Sequence, residues 1–228
     1  MRVWWRIGFS VVWLCFVCYP DPRVLWRAIQ RTVRPPIDPA AVRRWAATLP
    51  DDPAQIEQAV LSRLQYAVPW QSAGVPWTIA SPAEALAAGL GDCQARAVTL
   101  ASVLAAKGIP YRLRASVDHM WVEYPGKQPN ALENKSKTLW ERHEQPAGGG
   151  GRFRFRLPAI DLAESYAIEK DYFWDAAPAS KKALLLTGLA IIWALGRTPA
   201  RSSRRSQRPT AIPSGASNPL RAPALRCS

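Results

Sequence analysis

Histidine and methionine are the scarcest reactive side chains here, two of each in 228 residues, and cysteine is hardly commoner at four. Cys15 and Cys18 sit inside an apolar run and Cys227 lies near the C-terminus, so Cys93 is the sole cysteine of the central region. A single thiol excludes a disulfide framework there. The C-x-x-C at 15–18 has no second ligand pair and no βαβ setting, so it reads as buried membrane thiols rather than a zinc or redox site. Acid is in short supply as well: 17 Asp and Glu face 30 Lys and Arg, a formal charge of +13.

That excess sits at the ends. Residues 1–50 hold eight arginines against two aspartates, residues 197–228 hold seven arginines and no acid, and the stretch between balances at fifteen of each sign. A duplex-binding domain carries its basic face on the folded body; this body is neutral, so nucleic acid is not the expected partner. Two uncharged runs lie beside the basic ends, "IGFSVVWLCFVCYP" and "ALLLTGLAIIWALG". Both fall short of the roughly 20 apolar residues that span a bilayer. Snorkelling of Arg6, Lys181 and Lys182 lengthens them, and Trp4, Trp5 and Trp193 suit an interfacial belt. The first run lacks a small-x-small cleavage pattern, so it is read as an anchor rather than a cleaved signal. Arginines at both termini predict an inner-membrane protein whose body, residues 21–180, lies on the outer, periplasmic face.

Expected boundaries are an N-terminal anchor at 1–20, juxtamembrane helices at 21–50, a central folded domain at 51–178, a hydrophobic helix at 181–197 and a basic disordered tail at 198–228. Within the body, "DDPAQIEQAVLSRL" starts as a helix with an Asp cap and Pro53 in the first turn. "SPAEALAAG" has capping-box form, Ser81 with Glu84 three residues on, and Gly89 after the end. The helix after Cys93 shows a buried stripe of Ala97, Leu100, Ala101 and Leu104 and stops at Gly108. "YRLRASV" and "HMWVEY" read as strands, "PGKQPN" as a turn and "ALEN" as the start of a third strand. "ERHEQPAGGGG" reads as a loop, and "RFRFR" as an edge strand with a charged outer face.

A cysteine in the first turn of a helix meets unpaired amides and the positive end of the dipole, which lower a thiol pKa. Cys93 is therefore the candidate nucleophile. Gly91 permits a tight turn and close approach of a substrate carbonyl, and the Cys93 amide is placed to donate to an oxyanion. Of the two histidines, His143 falls in the charged "ERHEQ" stretch, whereas His119 opens an apolar strand and is the candidate base. A third group must orient the imidazole. With a hairpin near Lys127 and Gln128, one register sets Glu133 opposite His119 and a register shifted by one sets Asn134 there. Both stay open.

"GDCQARAVTLASVLAAKGIPYRLR", then "DHMWVEY", then "LEN" together resemble the transglutaminase-like superfamily, in particular its bacterial membrane-associated members. The resemblance covers residues 55–140. It implies an α+β, papain-like core of helices packed on a small antiparallel sheet, here flanked by two hydrophobic helices. It also implies a Cys93–His119–Glu133 triad, with Glu133 where the family usually has aspartate, and Trp77, with Trp70 behind it, as an oxyanion donor. The implied activity is cysteine-dependent acyl transfer on a protein or peptide amide, by protease, amidase or transglutaminase-type chemistry. No cofactor and no metal are implied. The alternative is a catalytically inactive scaffold or peptide-binding module of the same fold at the membrane.

Overall fold

The computed structural model describes residues 2–117, 119–128, 130, 133, 135–144, 152–157 and 162–195. The expected basic tail therefore lies outside the described residues, as do Asp118, Asn134 and the glycine-rich stretch after Glu144.

Helix starts follow directly from local chemistry. In α2 (Pro22–Val33), α3 (Pro39–Ala46) and α4 (Pro53–Arg63), an aspartate side chain accepts early backbone amides and a proline stands in the first turn. Proline costs nothing there, because the amide it lacks has no intrahelical acceptor. The one-turn helix α5 (Pro69–Ser72) follows, then α6 (Pro82–Ala88), which has the full Ser81–Glu84 capping box and ends on left-handed Gly89. Short segments β1 (Gln65–Tyr66) and β2 (Leu90–Gly91) form a parallel bridge that leads into α7 (Cys93–Ala106).

Helix α7 is the centre of the larger apolar core. Ile56, Val60 and Leu64 from the α4 region and Val42 and Ala46 of α3 pack on it together with Leu113 and Val122 of the sheet. Its buried residues include Val98, Thr99, Ser102 and Val103 besides the expected stripe. The stripe is wider than one face because helices and sheet enclose α7 together. Ser102 is accommodated by accepting from the Asp38 amide (2.9 Å) and donating to the Val98 carbonyl (2.8 Å).

Four antiparallel strands, β3 (Tyr111–Ala115), β4 (Met120–Glu123), β5 (Trp140–Glu144) and β6 (Arg152–Phe155), are ordered β4-β3-β5-β6. Two expectations are corrected here. "ERHE" is not loop but most of β5, because its alternating residues complete β3 in the register Arg112↔His143. Of "ALEN", only Glu133 is among the described residues; it lies outside any strand, and the next described strand pairs with β3. Among the described residues β4 is therefore an edge strand. The "RFRFR" segment forms the opposite edge, as expected.

Helix α1 (Arg2–Cys18) and the last described helix, α9 (Ala179–Leu195), pack antiparallel. Lys181 Nζ donates to the Val17 carbonyl (2.7 Å), Trp13 Nε1 to the Leu184 carbonyl (3.3 Å), and the Arg6 guanidinium lies 5.7 Å from the Trp193 ring. Gly188 makes this contact possible, since a Cβ there would lie 2.1 Å from the Trp13 indole. Among the described residues no single helix is long and apolar enough to cross a membrane. Two bent pairs meet the length and composition together: Val3–Cys18 with Pro22–Val33, bent by 89°, and Ser165–Asp175 with Ala179–Leu195, bent by 101°. The second bend follows α8 (Leu162–Glu169) and a π-helical turn, Lys170–Asp175, which Trp70 holds through a 2.8 Å bond from its indole to the Phe173 carbonyl.

Candidate active site

The N-terminus of α7 is built by three consecutive residues. Gly91 is buried, and a Cβ on it would come within 2.9 Å of Ala95 Cβ. Close packing of β2 on α7, rather than the expected tight turn, is therefore what requires glycine. Asp92 is the N-cap and accepts the Ala95 amide at 2.8 Å. Cys93 is the first helical residue and is half-buried.

The sulfur of Cys93 faces the Met120 amide at the start of β4. The sheet register explains why that amide is available. The Ser116 amide donates to the His119 carbonyl (2.8 Å) and Met120 pairs with Ala115, which turns the Met120 N–H to the edge of β4 away from β3. His119 is the adjoining residue. Ser116 secures its backbone: the hydroxyl accepts the His119 amide at 3.0 Å. The His119 ring stacks on Trp121 with 6.0 Å between centroids and 13° between planes.

A cleft of 420 Å³ opens at this junction, lined by His119, Gln94, Trp77, Met120 and Tyr172 among others. Mostly apolar walls with a few polar groups are the usual make-up of a small ligand site. Trp77 is half-buried and its carbonyl accepts the Tyr19 hydroxyl at 2.7 Å, fixing the backbone on that wall. Gln94 Oε1 is buried without a hydrogen-bond partner. Trp70, by contrast, is a core residue packed with Val17, Leu185 and Phe173.

Electrostatics at Cys93 run opposite to the sequence expectation. Burial pushes the thiol up to about 12, and the neighbouring Asp92 carboxylate adds to this. The amides of Met120, Gln94 and Cys93 itself offset only part of the rise. Desolvation outweighs the helix terminus because it acts on the whole thiolate charge, whereas the terminus contributes fractional charge. Asp92 is itself buried, with 3% of its surface exposed, and burial raises its carboxyl. The Tyr172 hydroxyl donates to it from the π-helical turn. Asp92, Gln94 and Tyr172 are site residues that sequence reasoning passed over. Asp92 had a visible signal, a cap residue directly before the cysteine; Tyr172, eighty positions away, had none.

Glu133 is buried at 6% exposure, and its carboxylate accepts Lys127 Nζ at 2.7 Å. The same ammonium donates to Glu57 (2.9 Å) and to the Val122 carbonyl (2.9 Å), and Glu57 also accepts the Tyr124 hydroxyl (2.5 Å). Glu133 is thus part of a charged cluster beside α4. His143 stands opposite Arg112, whereas β4 begins opposite Ala115, at the other end of β3. Among the described residues no group of three or more His, Cys, Asp or Glu is arranged to hold a metal ion. Cys15, Cys18 and Cys93 are all free thiols. Compared with known proteins, the chain matches no family model, no curated protein and no solved structure.

Proposed function

We propose that the chain is a cysteine-dependent acyl-transfer enzyme with a transglutaminase-like, papain-like core, acting on a protein or peptide amide. The observation that carries this reading is the meeting of the Cys93 end of α7 with the start of β4 beside His119, at a cleft lined by Gln94 and His119. With the thiol protonated at rest, His119 acts as base in the attacking step. It takes the Sγ proton as sulfur adds to the amide carbonyl, then returns a proton to the departing amine and leaves a thioester. Water or a second amine adds to the thioester, giving its proton to His119, and the thiol is regenerated. The Cys93 amide supplies an oxyanion donor, and Trp77 and the amide group of Gln94 border the space where the carbonyl would lie. The α1–α9 pair is the bilayer anchor in this reading, and its antiparallel packing sets Arg6 of α1 beside Trp193 of α9.

A second reading is favoured by one observation. The raised Cys93 thiol and its Asp92–Tyr172 neighbours suit a silent peptide-binding module of the same fold. An electrophilic peptide-amide probe separates the two. Labelling of wild type that is lost in Cys93→Ala and strongly reduced in His119→Ala supports the enzyme. Equal labelling of wild type and His119→Ala leaves the binding module.

A further inference from the structure

Helix α2 has one side packed on the fold and another that is exposed. Its inward face is engaged: Ala28 is buried, Thr32 borders the cleft, and Arg31 donates to the Ile79 carbonyl (3.0 Å) and to both oxygens of Glu84 (2.7 and 3.0 Å). On the outward side Trp26, Ile29 and Val33 recur at helical spacing and are 61%, 45% and 69% exposed. Arg23 and Arg27 run beside this apolar stripe and Arg34 caps its end; none of the three is ion-paired among the described residues. Of the nearby acids, Asp21 caps the helix by accepting the Arg23 amide, and Glu84 is taken by Arg31. The helix leaves α1 at 89°, and the outer surface of α1 is itself apolar, with Trp5, Phe9, Val12 and Phe16 exposed.

We propose that α2 is an interfacial helix that lies flat on an anionic bilayer surface. Trp26, Ile29 and Val33 enter the acyl boundary, and Arg23, Arg27 and Arg34 contact lipid phosphates. Three observations select this partner. An apolar stripe beside a basic one is the pattern of a helix lying in the interface plane. The unpaired arginines demand negative charge, and arginine stems lie along apolar surface while the heads reach phosphate. The right angle to α1 lays α2 along the surface of a bilayer that α1 enters along its normal. Because α2 also contributes Thr32 to the cleft and Arg31 to Ile79 beside it, the docked helix holds the cleft close to the membrane surface. The inference rests on reading α1 and α9 as the anchor.

The test uses the full chain reconstituted in phosphatidylcholine vesicles with and without phosphatidylglycerol, doped with phosphatidylcholine brominated near the head of its acyl chains. The Trp26 signal is the difference between wild type and Trp26→Phe. Strong quenching of that signal in anionic vesicles, weaker in neutral ones and relieved by salt, is the expected result. Each arginine is expected to favour the docked helix about fivefold, so Arg23→Gln/Arg27→Gln/Arg34→Gln should release it in the same vesicles. Quenching that is equal in neutral and anionic lipid overturns the anionic assignment. Unquenched Trp26 with the remaining tryptophans quenched overturns the docking, and iodide then tells water from a covering protein. If no tryptophan is quenched, the anchor reading fails and this inference with it; the amide-probe result at Cys93 is independent of either.

Discussion

The buried carboxylate of Asp92, one residue before Cys93, is held by the hydroxyl of Tyr172 from the π-helical turn that leads toward α9. This contact sets a negative group beside a thiol that burial already disfavours as thiolate. Single-turn π segments inside helices are often found at functional sites, since they displace one side chain out of helical phase. Here the displaced region carries both Tyr172 and Phe173 onto the cleft.

Alkylation of Cys93 should accordingly rise with pH through the mildly alkaline range without reaching a plateau, because its thiol is pushed up to about 12. Asp92→Asn retains a good helix cap while removing the charge. Its alkylation profile should shift to lower pH, with several-fold faster modification at pH 8. Peptide-level mass spectrometry reads this directly, and unchanged kinetics in Asp92→Asn would remove Asp92 as a cause.

Acid stability should depend on the Arg31–Glu84 pair. The guanidinium holds the Glu84 carboxyl down at about 2 from its ordinary 4.5, with the Ser81 cap adding to the effect. A depressed folded pKa contributes stability that is complete above 4.5 and lost as pH falls toward 2. Glu84 is half exposed, so the contribution is under about 1 kcal/mol. Glu84→Gln should flatten the denaturant midpoint across that window relative to wild type.

Lys127 holds two carboxylates at the end of β4. Lys127→Met leaves Glu133 and Glu57 without their cation and should cost about 3–5 kcal/mol in unfolding experiments. Glu133→Gln should lower thermal stability while preserving His119-dependent labelling of Cys93. Loss of labelling at unchanged stability would instead make Glu133 the imidazole's partner.

Gly91→Ala should destabilise by about 1–3 kcal/mol, since the new methyl would come 2.9 Å from Ala95 Cβ. Adding Ala95→Gly vacates that space. The double variant should recover part of the loss, less the roughly 1 kcal/mol that glycine costs in a helix. Additive losses in a double-mutant cycle would show that the two sites do not touch.

Much of the body was legible residue by residue. The caps at Asp52 and Ser81, the stop at Gly89 and the helix opening at Cys93 all follow from side-chain and backbone chemistry within a single turn. Strands at 111–115 and 120–123 follow from alternation of apolar and polar residues. The strand at 140–144 did not, because the charged "ERHE" reads locally as a loop and only pairing with β3 makes it a strand. Glu133 was open for the same reason: its register was inferred from a hairpin, whereas a lysine six residues away captures it.

The amino-acid order alone settled where helices begin and that Cys93 starts one, since capping and proline geometry act over three or four residues. Tertiary packing decided the protonation of that cysteine, the edge position of β4 and the approach of Tyr172 to Asp92. Burial and long-range charge depend on segments that meet only when the chain is folded, and no local pattern encodes their sum.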